Sequence, residues 1–217
     1  MKIFITGQPG VGKSTLLQKI LDYKKEAVIK GCIVDEIKEE KTRTGFKIRY
    51  ISPHRETILA SKKEHLSDSY IEQYSVNING IEKELIPYMN EMINTQNVDY
   101  IIFDEIGRMQ NTSPLFLQKL DKLLEKDTVI LSSIVLENEE WAQKYKKADS
   151  HFNITITLEN RDLCFDIIKY LIDHNECFKK SDDVKKLEYI RSFKKCFETR
   201  NYNLIYTLFF DEITIAS

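Results

Sequence analysis

Apolar and polar positions along the chain fall into two rhythms. Short apolar runs alternate with stretches whose apolar residues recur every three or four positions, the order expected of a sheet with crossover helices. Ile3 to Thr6 predicts a short buried strand, and Lys13 to about Tyr23 a helix with Leu16, Leu17, Ile20 and Leu21 at helical spacing. Between residues 30 and 79 the texture changes. Cys32 to Ile37, Gly45 to Ile51 and Glu56 to Ala60 are separated by charged or turn-prone residues and predict a β-rich meander rather than a crossover helix. Helical spacing resumes at Ile81, Leu85, Met89, Met92 and Ile93, with Pro87 expected at a kink or early turn. Tyr100 to Phe103 predicts a second buried strand ending at Asp104 and Glu105. Next come a helix at about 113–124, a strand from Thr128 to Ile134, a helix holding Trp141, a strand from Asn153 to Leu158 and a helix around Leu163, Ile167 and Leu171.

The last stretch looks different. Asp182 to Thr199 is Lys-rich and amphipathic, with Val184, Leu187, Ile190, Phe193 and Phe197 on one side, and Leu204 to Phe210 is apolar and strand-like. The expected organisation is therefore one α/β domain over residues 1–175, with 30–79 as its β-rich segment. Residues 176–217 form a C-terminal extension that either packs on that domain or docks a partner.

Composition narrows the setting. A formal net charge of −2 offers no bulk attraction to nucleic acid or anionic membrane. No run reaches the roughly 20 apolar residues that a bilayer span needs. A strand-like run directly after Lys2 predicts that no presequence is present, so a cytoplasmic location is expected. Cys32, Cys164, Cys177 and Cys196 form no C-x-x-C unit, and His54, His65, His151 and His174 are scattered. Reduced thiols and no protein-only metal centre are the expectation.

The chemistry begins right after the first strand. Gly7-Gln8-Pro9-Gly10-Val11-Gly12-Lys13-Ser14 has the spacing G-x-x-x-x-G-K-S, preceded by a predicted strand and followed by a predicted helix. Glycines at these positions let backbone N–H groups close around a phosphate at a helix N-terminus. Lys13 is then expected on the β- and γ-phosphates, Ser14 on a Mg²⁺ ion and Thr15 near the α-phosphate. Some ninety residues downstream, Asp104 and Glu105 end the second buried strand. A carboxylate buried there is costly without a facing cation, so Asp104 is expected to hold the Mg²⁺ through a water. Glu105 is expected to polarise an attacking water, which favours hydrolysis over transfer. Asp104-Glu105-Ile106-Gly107 is also D-x-x-G, in which the Gly107 N–H feels the γ-phosphate. The base-reading N-K-x-D pattern is missing; Gln118-Lys119-Leu120-Asp121 lies on an amphipathic helix and reads as surface. Weak base selectivity is therefore expected.

At these residues the chain resembles the nucleoside-triphosphatase family first described from thermophiles, which includes the cancer-related nucleoside-triphosphatase. The likeness rests on MKIFITGQPGVGKSTLL at the amino end, Arg43-Thr44-Gly45-Phe46, Phe103-Asp104-Glu105-Ile106-Gly107-Arg108-Met109 with Ser113 and Phe116, and Leu158-Glu159-Asn160-Arg161. It covers about residues 1–174. The resemblance implies a RecA-like P-loop fold, a mostly parallel central sheet flanked by helices. It also implies slow Mg²⁺-dependent hydrolysis of ATP, GTP and other nucleoside triphosphates to diphosphate and phosphate. Gln110 stands where the family pattern leads one to expect Glu, and the chain beyond Glu176 has no counterpart in it.

Transition-state charge on a γ-phosphoryl group is often met by arginine, worth ~10³–10⁵ in rate. Arg161, Arg43 and Arg108 are the candidates. Two other functions stay open on the sequence: a nucleotide or small-molecule kinase, with an acceptor pocket in the 30–79 segment, and a nucleotide-dependent RNA- or protein-binding module using the helix of Lys185, Lys186, Lys194 and Lys195.

Overall fold

The computed structural model describes residues 1–208. In chain order the elements are β1 (Lys2–Thr6), α1 (Lys13–Tyr23), β2 (Ile29–Glu39), β3 (Thr42–Tyr50), β4 (Glu56–Ser61), β5 (Tyr70–Ile71) and β6 (Tyr74–Val76). A helical run comes next, made of α2 (Ile78–Gly80), a π-helical turn (Ile81–Leu85) and α3 (Ile86–Asn94). Then come β7 (Tyr100–Ile106), α4 (Pro114–Leu124), β8 (Val129–Ile134), α5 (Glu140–Lys146), β9 (Phe152–Thr155), α6 (Arg161–Asp173), α7 (Asn175–Lys180) and α8 (Asp183–Glu198). These elements fall into two units: Met1–Lys24 with the chain from Val129 onward, and Lys25–Thr128.

The first unit is built on three parallel strands in the order β8-β1-β9. Ile3 stands between Leu131 and Phe152, and Ile5 between Ser133 and Ile154. Helix α1 lies on β8 and α6, while α8 lies on β9. A strand covered on both faces reads as an unbroken apolar run, and Ile3, Phe4 and Ile5 are all within 1% of full burial. Strand β9 is shorter than the expected 153–158, because the side chains of Thr157 and Asn160 take up the Thr155 carbonyl and the Thr157 and Asn160 N–H groups. Asp182 caps α8, accepting from the Lys185 N–H at 2.9 Å. Phe193 of α8 is wholly buried, edge-on to Phe152 with ring centroids 5.1 Å apart. The strand expected at 204–210 does not form over the described residues. Tyr202–Thr207 is a 3₁₀ turn that buries Ile205 and offers the Tyr206 carbonyl to the Tyr170 hydroxyl at 2.9 Å. Its apolar residues cover helices instead of joining a ladder, and Phe209 and Phe210 lie outside the described residues.

The second unit holds six strands in the order β5-β6-β4-β3-β2-β7. The expected meander is there: β2, β3, β4, β6 and β5 pair antiparallel in turn. Its first strand, however, is more than an insertion. Ile29–Cys32 of β2 pair parallel with Tyr100–Phe103 of β7, whereas Cys32–Glu39 pair antiparallel with β3. Strand β2 is 11 residues long, so one end serves the parallel pair and the other the meander. The sheet content is mixed rather than mostly parallel. In the helical run, Asn77 caps by accepting from the Gly80 N–H at 2.9 Å. Pro87 falls in the first turn of α3, directly after the π-helical turn, where a missing N–H donor is tolerated. Ser113 caps α4, accepting from the Leu115 N–H and donating to Glu82 at 3.0 Å.

Candidate active site

The glycine-rich loop and the strand-end carboxylates belong to different units. In the first unit, β1 delivers the chain into Gly7. A Cβ on Gly7 would lie 2.6 Å from the Ile156 carbonyl oxygen and 2.7 Å from its Cγ2, so the loop rests directly on the chain leaving β9. That floor is fastened by the Ile156 N–H donating to the Thr6 carbonyl at 2.8 Å. Val11 is buried beneath the loop, while Gln8, Pro9 and Gly10 are exposed above it. Gly12 closes the loop at φ +112°, a left-handed conformation that L side chains rarely adopt, and heads α1.

Helix α1 opens with no side-chain cap and no acidic residue in its first turn. The N–H groups and positive dipole end of that turn are thus presented to an anion. Ser14 and Thr15 are exposed on the same turn. Lys13 donates from Nζ to the carbonyls of Gly7 at 2.9 Å and Gln8 at 3.2 Å, which draws its ammonium over the loop.

The floor of the loop continues into the Leu158-Glu159-Asn160-Arg161 element. Asn160 accepts from the Thr157 N–H at 2.7 Å and donates to the Thr155 carbonyl at 3.0 Å, which fixes the turn from β9 into α6. Arg161 is the exposed first residue of α6, five residues past the floor. Leu158 stands out from the turn at 71% exposure.

In the second unit, Asp104 and Glu105 lie within β7, which runs on to Ile106, one residue beyond the expected strand end. A cis peptide bond joins the pair. Asp104 is 2% exposed, Glu105 half-buried and Ile106 fully buried. Cys32, beside Phe103 in register, feels this environment: burial first, and the Asp104 charge second, push its thiol far above the ordinary range. Gly107 comes next, in a turn closed by the Asn111 N–H on its carbonyl at 3.2 Å. Two side chains converge on Gly107. The position a Cβ would take there lies 2.9 Å from Gln110 Oε1 and 3.4 Å from Glu105 Oε1. Gln110 is itself only 3% exposed.

The arginines separate clearly. Arg43 donates from Nε to the Tyr74 hydroxyl at 2.9 Å and pairs with Glu36 at 2.8 Å, its guanidinium 5.0 Å from the Phe46 ring centroid. It is thereby committed to the antiparallel sheet. Arg108 is exposed in the Gly107 turn, and Arg161 shares the first unit with the loop. The run from Gln118 to Asp121 lies on α4 with only Leu120 buried, a surface segment as expected. Sequence reasoning passed over the floor at Ile156, the tying role of Asn160 and the burial of Gln110. Of these only Gln110 carried a signal, its departure from the family pattern. All four cysteines are free thiols. Among the described residues no group of three or more His, Cys, Asp or Glu could hold a metal ion, and no helix is long and apolar enough to cross a membrane.

Comparison with known proteins bears on the family of the chain. The family model described as NTPase matches residues 2–169. Nucleoside-triphosphatase THEP1 of Methanocaldococcus jannaschii is 34% identical over 172 residues, covering 77% of this chain and 95% of that protein. The crystal structure of THEP1 from the hyperthermophile Aquifex aeolicus superposes with a TM-score of 0.68 at 29% identity, over 79% of this chain and 99% of the other. The solution structure of a human cancer-related nucleoside triphosphatase gives a TM-score of 0.63 at 25% identity, over 77% and 95%.

Proposed function

The chain belongs to the NTPase family, and on that footing we propose that it is a Mg²⁺-dependent nucleoside-triphosphatase of the RecA-like P-loop class with little preference among bases. It splits the terminal anhydride of ATP, GTP and other nucleoside triphosphates, releasing diphosphate and inorganic phosphate. The observation that carries this reading is the loop itself: Gly7 seated on Ile156, Gly12 in the left-handed region and α1 opening without a competing cap.

The roles derive from charge and hydrogen-bonding capacity. Backbone N–H groups of the loop and of the first turn of α1 hold the β-phosphate and, after cleavage, the leaving diphosphate. Lys13 exchanges its two carbonyl partners for phosphate oxygens of opposite charge. Ser14 and Asp104 would hold the magnesium ion. Their donors are all oxygen, one of them a buried carboxylate, which suits a hard cation that keeps waters and phosphate oxygens in its shell. When bound, the ion supplies neutralisation of charge across the β- and γ-phosphates. Glu105 accepts from the attacking water and takes its proton as the oxygen closes on phosphorus. Ile106 and Gly107 follow Glu105 in the chain, and the Gly107 N–H is assigned to the γ-phosphate. Arg161 meets the charge that develops on the transferred group, whereas Arg43 is kept by Glu36 and Tyr74.

Base tolerance has its own support. Asn160, an amide beside the loop floor, spends its Oδ1 and Nδ2 on backbone bonds, and its neighbour Leu158 is an apolar side chain with no donor or acceptor to offer a base.

The test is Glu105→Gln. It keeps nucleotide binding and lowers phosphate release by ~10²–10⁴-fold, the usual worth of a positioned general base. Release at the native rate would remove Glu105 from the chemistry. Phosphate release by the native chain with no acceptor in the assay separates hydrolysis from kinase activity.

A further inference from the structure

A water attacking phosphorus must hold its lone pair on the phosphorus while both of its O–H bonds point elsewhere. One carboxylate takes one O–H and leaves the molecule free to swing about that bond. A second acceptor fixes it, and pre-aligned groups of this kind are what give a site its rate. The second unit contains such a pair of oxygens. Glu105 Oε1 and Gln110 Oε1 lie 3.4 and 2.9 Å from one point, the place a Cβ of Gly107 would fill. Gln110 comes from the 3₁₀ turn Gln110–Thr112, which is locked to the cap of α4 by the Ser113 N–H donating to the Gln110 carbonyl at 3.3 Å. At 3% exposure its side chain has little room to swing away.

We infer that Gln110 is a second acceptor for the attacking water, its amide oxygen sharing with the Glu105 carboxylate the alignment of that water over Gly107. The inference rests on the assignment of Glu105 made above. In the hydrolytic step the water oxygen bonds to the γ-phosphorus and the bond to the bridging oxygen breaks. The proton passes to Glu105, and the other O–H stays on the Gln110 oxygen. An amide suits the place because it accepts without adding negative charge near a triphosphate that is already strongly negative. A carboxylate at 110 accepts as well but repels the substrate. Gly107 is part of the same arrangement, since a Cβ there would lie within 3.4 Å of both oxygens.

Three variants decide it, with phosphate release measured for kcat and KM, affinity measured with a fluorescent nucleoside triphosphate and Mg²⁺, and folding tracked by thermal melting. Gln110→Met keeps shape and removes the acceptor. It should lower kcat by ~10–100-fold, somewhat less than the loss of a principal oxyanion-hole donor, with affinity and KM within about twofold of native. Gln110→Glu restores the acceptor and adds charge. It should return kcat to within about fivefold of native while KM rises. Native kcat in Gln110→Met, or an equal fall in kcat in both variants, overturns the inference and leaves Gln110 as packing. Should Gln110→Met fail to fold, Gln110→Glu decides alone: kcat within about fivefold supports the acceptor role, and a larger loss at an unshifted melting temperature overturns it. If neither folds, Gln110 is structural and the inference fails. Glu105→Gln, assayed alongside, separates the two levels. Its inactivity beside a fully active Gln110→Met removes Gln110 only, whereas native activity in Glu105→Gln removes the reading on which both depend.

Discussion

Gly7→Ala is the sharpest probe of the loop, because its cost comes chiefly from contacts with one residue, Ile156. The added Cβ would sit 2.6 Å from the Ile156 carbonyl oxygen, where ordinary contact starts at 3.4 Å, so about 0.8 Å must be found. Neither partner can give it cheaply. The carbonyl is backbone, and the same residue's N–H donates to Thr6, the residue just before Gly7. Moving the loop off its floor therefore strains or breaks that bond. Overpacking of this kind costs ~1–3 kcal/mol and a lost backbone hydrogen bond ~0.5–1.5 kcal/mol, together ~1.5–4.5 kcal/mol. For a chain of this size that is a fall of roughly 3 to 18 °C in melting temperature. Thermal melting monitored by circular dichroism, with and without Mg²⁺ and nucleoside triphosphate, reads both the loss and the weakening of ligand-induced stabilisation. Gly10→Ala is the internal control. A Cβ there meets nothing within 4 Å, and only its φ of +75° is penalised, at ~1–2 kcal/mol. Adding Ile156→Ala to Gly7→Ala removes the Cγ2 contact at 2.7 Å but leaves the carbonyl, so it should not rescue. If Gly7→Ala melts within about 2 °C of native, or melts no lower than Gly10→Ala, the seating of the loop on β9's exit is not what holds it.

The arginines should part company in mutation. Arg161→Ala is expected to lower kcat by ~10–10³-fold without changing the melting temperature, while Arg43→Ala loses ~1–2 kcal/mol of stability and keeps kcat within about threefold; the reverse pattern would exchange their roles. His151 gives the pH dependence. Burial, the leading cause, lowers its pKa from the ordinary 6.5 against the opposing hydrogen bond to the Tyr145 carbonyl, with Lys2, Lys194 and the amino terminus adding in the same direction as burial. A base with a depressed folded pKa binds its proton more readily when unfolded, so stability is full above pH 6.5 and declines as pH falls below it. His151→Phe should flatten that part of a pH series of denaturant melts, and an unchanged slope would assign it to other groups.

What could be read in the residues and what could not divides along a physical line. The phosphate loop announces itself because backbone conformation needs glycine and an ammonium needs lysine, and both demands are written locally. Helix α1 begins and ends where its apolar spacing does, at Lys13 and Tyr23. The sheet is harder to read. Nothing in Ile29–Cys32 reveals that this end of β2 pairs parallel with β7 while its other end turns antiparallel, since pairing is set by a partner some seventy residues away. The 204–210 run has the composition of a strand, yet over Tyr202–Thr207 the need to cover Tyr170 and bury Ile205 prevails over β propensity. The acidic half is legible as chemistry and not as geometry: Asp104 and Glu105 stand out as types, but the approach of Gln110 to Gly107 depends on how a 3₁₀ turn folds back.

The contrast between loop and carboxylate also bears on the order of binding. Ser14 and Thr15 are exposed, so the anion site is open to solvent and its N–H groups act in a polarisable medium. Asp104 is 2% exposed, with the neutral, high-pKa thiol of Cys32 beside it, so it acts where charge is poorly screened. Under the proposed function, Ser14 and Asp104 would give the magnesium ion one hydroxyl and one carboxylate, fewer oxygens than octahedral coordination demands. Waters and phosphate oxygens would complete the shell. Metal and triphosphate would then be coupled ligands: each would supply charge or oxygens that the other's binding lacks, and by linkage each would raise the other's affinity by the same factor. Asp104, weak as a metal site alone, would become strong when the triphosphate arrives with its cation, which would tie its chemistry to the presence of substrate.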